Sequence, residues 1–178
     1  MITVPGVVWE TGPELINPGQ AALSADQVYR YQLDRTWNPA WPVITWLMLN
    51  PSTADASVDD ATVKKITKTF ARPWGAGGVT VVNLFAYRAT EPADLRKAPD
   101  PVGPHNDLFI RDVCCRPAVV VAAWGAHGGL HGRDTAVTRM LAGAGVRLHC
   151  LGLTRDGHPK HPLYVSGSTP LQLYPEAG

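Results

Sequence analysis

Val43-Ile44-Thr45-Trp46-Leu47-Met48-Leu49 is a continuous apolar run of strand length, and Asn50-Pro51-Ser52-Thr53 breaks it. A run without alternation marks a strand buried on both faces, as in the middle of an α/β sheet. Val79 to Phe85 repeats the pattern, and Ala118 to Trp124 and Val146 to Leu151 read as further strands. Upstream, Val28 to Asp34 alternates apolar and polar residues, which predicts a strand with a wet side, and Leu171 to Tyr174 reads as a final edge strand. Helical signals lie between these runs. One helix starts near Asp59 or Asp60 with Val63, Ile66 and Phe70 at helical spacing and Lys64, Lys65 and Lys68 on its wet side; Gly75 to Gly78 end it. Asp107 to Cys115 and Thr135 to Leu141 are the others, the last stopped by Gly143 and Gly145. Strands alternating with helices predict a three-layer α/β/α domain with a mostly parallel central sheet, spanning residues 1–178 as a single domain. Ligands sit at the carboxyl ends of the strands in such sheets. The polar segments 50–53, 87–90, 125–128 and 154–164 would therefore meet on one edge.

Composition narrows the class of protein. A chain of 178 residues can bury enough surface to fold without disulfides or metal. Cys114, Cys115 and Cys150 are odd in number and match no zinc spacing, so they read as reduced thiols of a cytoplasmic protein. No apolar run is long enough to span a bilayer and no secretory leader is recognisable, so no membrane partner is expected. A net charge of +1 argues against a dedicated high-affinity duplex binder, though not against an enzyme making a few phosphate contacts. Oligomeric state is left open.

Several residues carry possible chemistry. Asn50 follows a buried strand and precedes Pro51, which biases it towards extended backbone. Its carboxamide either orients a water by donating and accepting at once or caps a turn. Asn83 stands inside an apolar run, where a buried amide must find partners in the backbone or in a ligand such as a base edge. His161, in the loop His158-Pro159-Lys160-His161-Pro162, can donate to a developing anion or sit as a surface histidine in a proline-rich turn. Phe85, Tyr87 and Trp124 are either stacking platforms for a base or core aromatics, and Arg88 and Lys160 either phosphate ligands or solvated charges. Arg72 and Arg133 are further cationic candidates. His149 and Asp156 do not complete a metal pattern, the Gly125-Ala126-His127-Gly128-Gly129 run lacks a phosphate-loop ending, and no nucleophile elbow is present. No metal or organic cofactor is expected.

The order of these segments carries a resemblance. Leu47 through Asp55, Val81 through Thr90, Ala122-Ala123-Trp124-Gly125 and Leu151 through Tyr164 resemble an uncharacterised bacterial and phage family, catalogued as domain of unknown function 1643, over roughly residues 27–175. More distantly, Leu49-Asn50-Pro51-Ser52 looks like the first motif of the mismatch-specific and thymine-DNA glycosylases. Val82-Asn83-Leu84 followed by Arg88-Ala89-Thr90 is similar to a second stretch of those enzymes, and His161-Pro162 to the start of their His-Pro-Ser motif. This likeness to the uracil-DNA glycosylase superfamily implies that fold and an N-glycosylase activity. Asn50 would position water, Asn83 would read the base edge and His161 would stabilise the departing base anion. Pro51, Ser52, Phe85, Tyr87, Arg88 and Trp124 would complete the binding surface, and the partner would be DNA or a free nucleotide or modified base. The chain departs from the motifs at Met48, where glycine is usual, and at Leu163, where serine is usual. It has no aspartate at the Asn50 position, which removes strong general-base activation of water there. Two rival readings stand beside the hydrolase: a non-catalytic nucleotide or nucleic-acid binding module, and an enzyme of free modified nucleotides.

Overall fold

The computed structural model describes residues 1–13, 19–52, 54–89, 92–116 and 119–175. Its strands are β1 (Val7–Thr11), β2 (Gln20–Ser24), β3 (Arg30–Thr36), β4 (Val43–Met48), β5 (Gly78–Asn83), β6 (Val120–Ala122), β7 (Leu148–Cys150) and β8 (Gln172–Leu173). The α-helices are α1 (Ala61–Lys65), α2 (Pro92–Leu95), α3 (Asn106–Cys114) and α4 (Arg133–Gly143). All the strands join one sheet in the order β1-β2-β3-β5-β4-β6-β7-β8. The decisive apolar run is β4, paired in parallel with β5 on one side and β6 on the other. Side chains alternate across it. Trp46 and Met48 face a core with Val63, Ile66 and Phe70, while Leu47 and Leu49 face a second core with Ile110, Val113, Val137 and Leu141. Both faces are apolar because both carry helices, and this accounts for the lack of alternation in the sequence.

The expectation of a mostly parallel sheet is corrected. Parallel pairing is confined to β5-β4-β6-β7, and β1-β2, β2-β3, β3-β5 and β7-β8 are antiparallel. The added strands are β1 and β2. In β2, Gln20-Ala21-Ala22-Leu23-Ser24, alanines with weak strand preference leave little pattern to read. They are nonetheless fully buried, because small side chains fit between neighbouring elements. Consecutive strands linked by short returns pair antiparallel and need no crossover helix.

A second correction concerns β3. Alternation assigned its polar residues to solvent, yet Arg30 is 3% exposed and Gln32 4%. The strand lies third in the sheet with packed elements on both faces, so Arg30 and Gln32 are buried, while Asp34, Arg35 and Thr36 are half-buried. The remaining shifts are at boundaries. Ala118, where the strand ending at Trp124 was expected to start, lies outside the described residues, and Gly78 belongs to β5 rather than to the preceding turn. Helix α1 starts after Asp60, whose Oδ1 accepts from Val63 N at 2.8 Å, and continues into a π-helical turn over Ile66–Ala71. That turn carries Arg72 N onto Thr67 O and keeps Ile66, Phe70 and Ala71 inside the core.

Candidate functional site

The carboxyl ends of β4, β5 and β6 open into a cleft of about 770 Å³. Backbone bonds bring the exits of the strands together: Leu84 N donates to Met48 O at 2.8 Å, Phe85 N to Leu49 O at 3.0 Å and Ala123 N to Leu47 O at 2.8 Å. Gly125 then turns the chain out of β6 with φ of 73°, a left-handed conformation that suits glycine. Its N–H donates to Pro159 O at 2.9 Å, which draws the 151–160 segment over the sheet edge. That segment folds back on itself through Thr154 N to His158 O and Lys160 N to Gly152 O, and so delivers His161 to the cleft.

Asn50 lies on the first loop. Its Nδ2 donates to Pro51 O at 2.9 Å and to Ala89 O at 2.7 Å, tying the loops after β4 and β5 together. Both amide hydrogens are thereby committed to backbone, so Asn50 presents the cleft with an acceptor, Oδ1, rather than a donor and acceptor at once. Asn83 closes β5 and is 2% exposed. Its Oδ1 accepts from Arg30 Nη2 at 3.5 Å, which orients the amide, and its Nδ2 has no partner among the described residues that line the cleft. The backbone of Asn83 is held from behind, where Asn106 Nδ2 donates to Asn83 O at 3.0 Å and Leu84 O at 2.9 Å.

His161 caps the 3-10 turn Pro162–Tyr164, its Nδ1 accepting from Leu163 N at 3.4 Å. A neutral imidazole that accepts at Nδ1 carries its proton on Nε2, and so keeps a donor for a ligand. Burial holds the His161 pKa below the usual histidine value. Asp60 pulls against that shift and Lys65 reinforces it.

Of the residues singled out in the sequence, Asn50, Ser52, Asn83, Trp124 and His161 line the cleft together, with Lys160 and His127 beside them. Pro51 stands behind Asn50 and gives it a carbonyl. Phe85 is fully buried among the core residues packed on Leu47 and Leu49. Tyr87 stands edge-on to Tyr29 with ring centroids 6.3 Å apart, and Arg88 donates to Gln27 O at 3.3 Å; neither lines the cleft. Arg133 is committed to Leu84 O and Asp107, and Arg72 lies over the Trp37 ring. Thr53 and Thr90 lie outside the described residues.

The structure adds two charged groups to the cleft, Arg30 and Asp60. Arg30 was hidden by the strand alternation, which sent it to solvent. Its Nη1 donates to Ala54 O at 2.6 Å while its Nε finds no partner among the described residues. Burial pulls its pKa down to about 10, so it stays protonated at neutral pH. Asp60 was legible only as a helix start. One of its oxygens caps α1 and its carboxylate also borders the cleft. No cysteine lines this space; Cys114 and Cys150 are buried in the fold, and burial pushes the Cys114 thiol up to about 12.

Residues 30–163 match the model of a family described as a protein of unknown function, DUF1643, and the chain belongs to that family. No curated protein and no solved structure matches the chain.

Proposed function

We propose that this member of the DUF1643 family hydrolyses the N-glycosidic bond between a base and its sugar, on a three-layer scaffold like that of uracil-DNA glycosylases. The observation that carries the reading is the convergence of Asn50, Asn83 and His161 on one cleft at the strand ends, each with an uncommitted polar atom. The substrate is a base in DNA or in a free nucleotide, and the protein works in the cytoplasm.

Asn83 Nδ2 donates to the base edge and holds it in the cleft. A water donates one hydrogen to Asn50 Oδ1 and keeps a lone pair for the anomeric carbon. The bond from that carbon to the base nitrogen breaks with its electron pair going to the base, and His161 Nε2–H donates to the anion that forms. The water oxygen bonds to the sugar, and its proton passes to Asp60 or solvent and finally to the base. Asp60 also supplies negative charge while the sugar is cationic. A preorganised donor of the His161 kind is worth about 3–4 kcal/mol, or roughly a hundred- to thousandfold in rate.

The test is incubation with single- and double-stranded oligonucleotides carrying uracil, mismatched thymine or modified pyrimidines, alongside free nucleotides, with released base detected by mass spectrometry. Wild-type protein releases base, and His161→Ala and Asn50→Ala lose most of it. Full turnover by His161→Ala refutes the assignment. Binding without release selects the non-catalytic module instead, a reading favoured by one observation: Asn50 already spends both amide hydrogens on backbone carbonyls.

A further inference from the structure

Arg30 is a charged side chain on the floor of the cleft, only 3% exposed, and it forms no ion pair with any described carboxylate. Its bonds go to neutral oxygens, Ala54 O at 2.6 Å and Asn83 Oδ1 at 3.5 Å, and its Nε has no acceptor among the described residues. A guanidinium carries five N–H donors, so most of its hydrogen-bonding capacity is unspent. Asp60, on the same lining, and Asp55 act on it only through space, and a buried charge with no carboxylate in contact is unfavourable unless a ligand or a paired group completes it. Asn83 Oδ1 faces Arg30 Nη2 at 3.5 Å, a long contact, and its Nδ2, a donor, is left for a ligand. The deep end of the cleft therefore offers donors and positive charge.

We propose that Arg30 and Asn83 form an oxyanion subsite, and that the physiological ligand carries an anionic oxygen group at its deep end. That group is a carboxylate on the base or a phosphate on a nucleotide. The assignment rests on the reading that the cleft receives a nucleobase, and it narrows the substrate to an anionic form. A planar carboxylate suits the guanidinium fork, which can donate to both oxygens at once.

The experiment is isothermal titration calorimetry on the full chain with uracil, orotate, uridine, uridine 5′-monophosphate and inorganic phosphate. Orotate differs from uracil by one ring carboxylate, so their ratio isolates that group, and the phosphate-bearing probes isolate the other source. The expected result is an anionic probe binding about ten- to a hundredfold tighter than its neutral counterpart, the range expected for charge-assisted hydrogen bonds. Arg30→Met removes the preference but also frees the Ala54 carbonyl, so a second variant guards against loss of fold. Asn83→Asp gives Arg30 an internal carboxylate. It is expected to keep or raise the thermal midpoint while abolishing the anion preference. Tighter orotate than uracil assigns the carboxylate source. Tighter uridine 5′-monophosphate than uridine, with phosphate binding alone, assigns the phosphate source. Equal binding of charged and neutral probes, or an anion preference that survives in a folded Asn83→Asp protein, overturns the subsite. Base release without anion preference would refute the subsite alone, and anion preference without base release would refute the hydrolase alone.

Discussion

Asn106→Ala is expected to cost about 2 kcal/mol of stability, although the residue touches no substrate. Asn106 is fully buried, and its Nδ2 donates to Asn83 O at 3.0 Å and Leu84 O at 2.9 Å. Each lost bond is worth about 1 kcal/mol, and the small cavity left by the amide adds about 1 kcal/mol. Against this, Asn106 Oδ1 is itself a buried acceptor without a partner among the described residues, so its removal returns about 1 kcal/mol. Leu84 O also keeps its bond from Arg133 Nε at 2.8 Å, which limits the damage on that side. With a urea m-value of about 2 kcal/mol/M for a domain of this size, the midpoint should fall by roughly 1 M at unchanged slope. Asn106→Asp should be worse, since a carboxylate donates nothing and carries charge into a dry site. A loss below about 0.5 kcal/mol for the alanine variant would refute the claim that Asn106 anchors the end of β5.

Lowered pH should destabilise the protein through His161. Burial holds its folded pKa below the ordinary value of 6.5, so the unfolded chain binds more protons, and stability rises with pH between the folded value and 6.5. Below both values the penalty is constant. His161→Asn keeps an acceptor where Nδ1 stood and removes the titration, so its thermal midpoint should depend less on pH across that window; an unchanged slope would place the effect elsewhere. Asp60→Ala should cost about 1 kcal/mol in chemical denaturation through loss of the α1 cap, while Asp60→Asn, a good cap, should cost far less. Because Asp60 raises the His161 pKa, Asp60→Asn should also lower it further, and a histidine titration followed by NMR that moves upward would contradict the geometry.

The parts of the fold that were legible share a physical cause. β4 and β5 are buried on both faces, and continuous apolar runs report that burial directly. Helix α1 announced itself through Asp60, and the structure shows the cap. β1 and β2 were not legible, because a strand such as Gln20-Ala21-Ala22-Leu23-Ser24 owes its burial to what lies on either side and not to its own side chains. The expected parallel sheet failed for the same reason. The direction of an edge strand follows from the length of its connection and leaves no mark on its periodicity.

In the site, Asn50 and Asn83 were legible because one follows an apolar run and the other breaks one, and His161 because it stands in a proline-rich loop after a strand. Arg30 was not, because in an alternating strand a charged residue looks like part of a wet face. Its burial depends on packing across the sheet, a long-range fact that no window of sequence contains. That hidden residue changes how recognition should work. The chain is nearly neutral, at +1, so little affinity for a polyanion comes from the surface as a whole. The buried charge of Arg30 instead borders a cleft of about 770 Å³, beside Asp60 on the same lining, where burial strengthens its pull on a neighbouring group. A group must enter that cleft to feel it. The arrangement therefore favours a single group that enters the cleft over a long polyanion held along the surface.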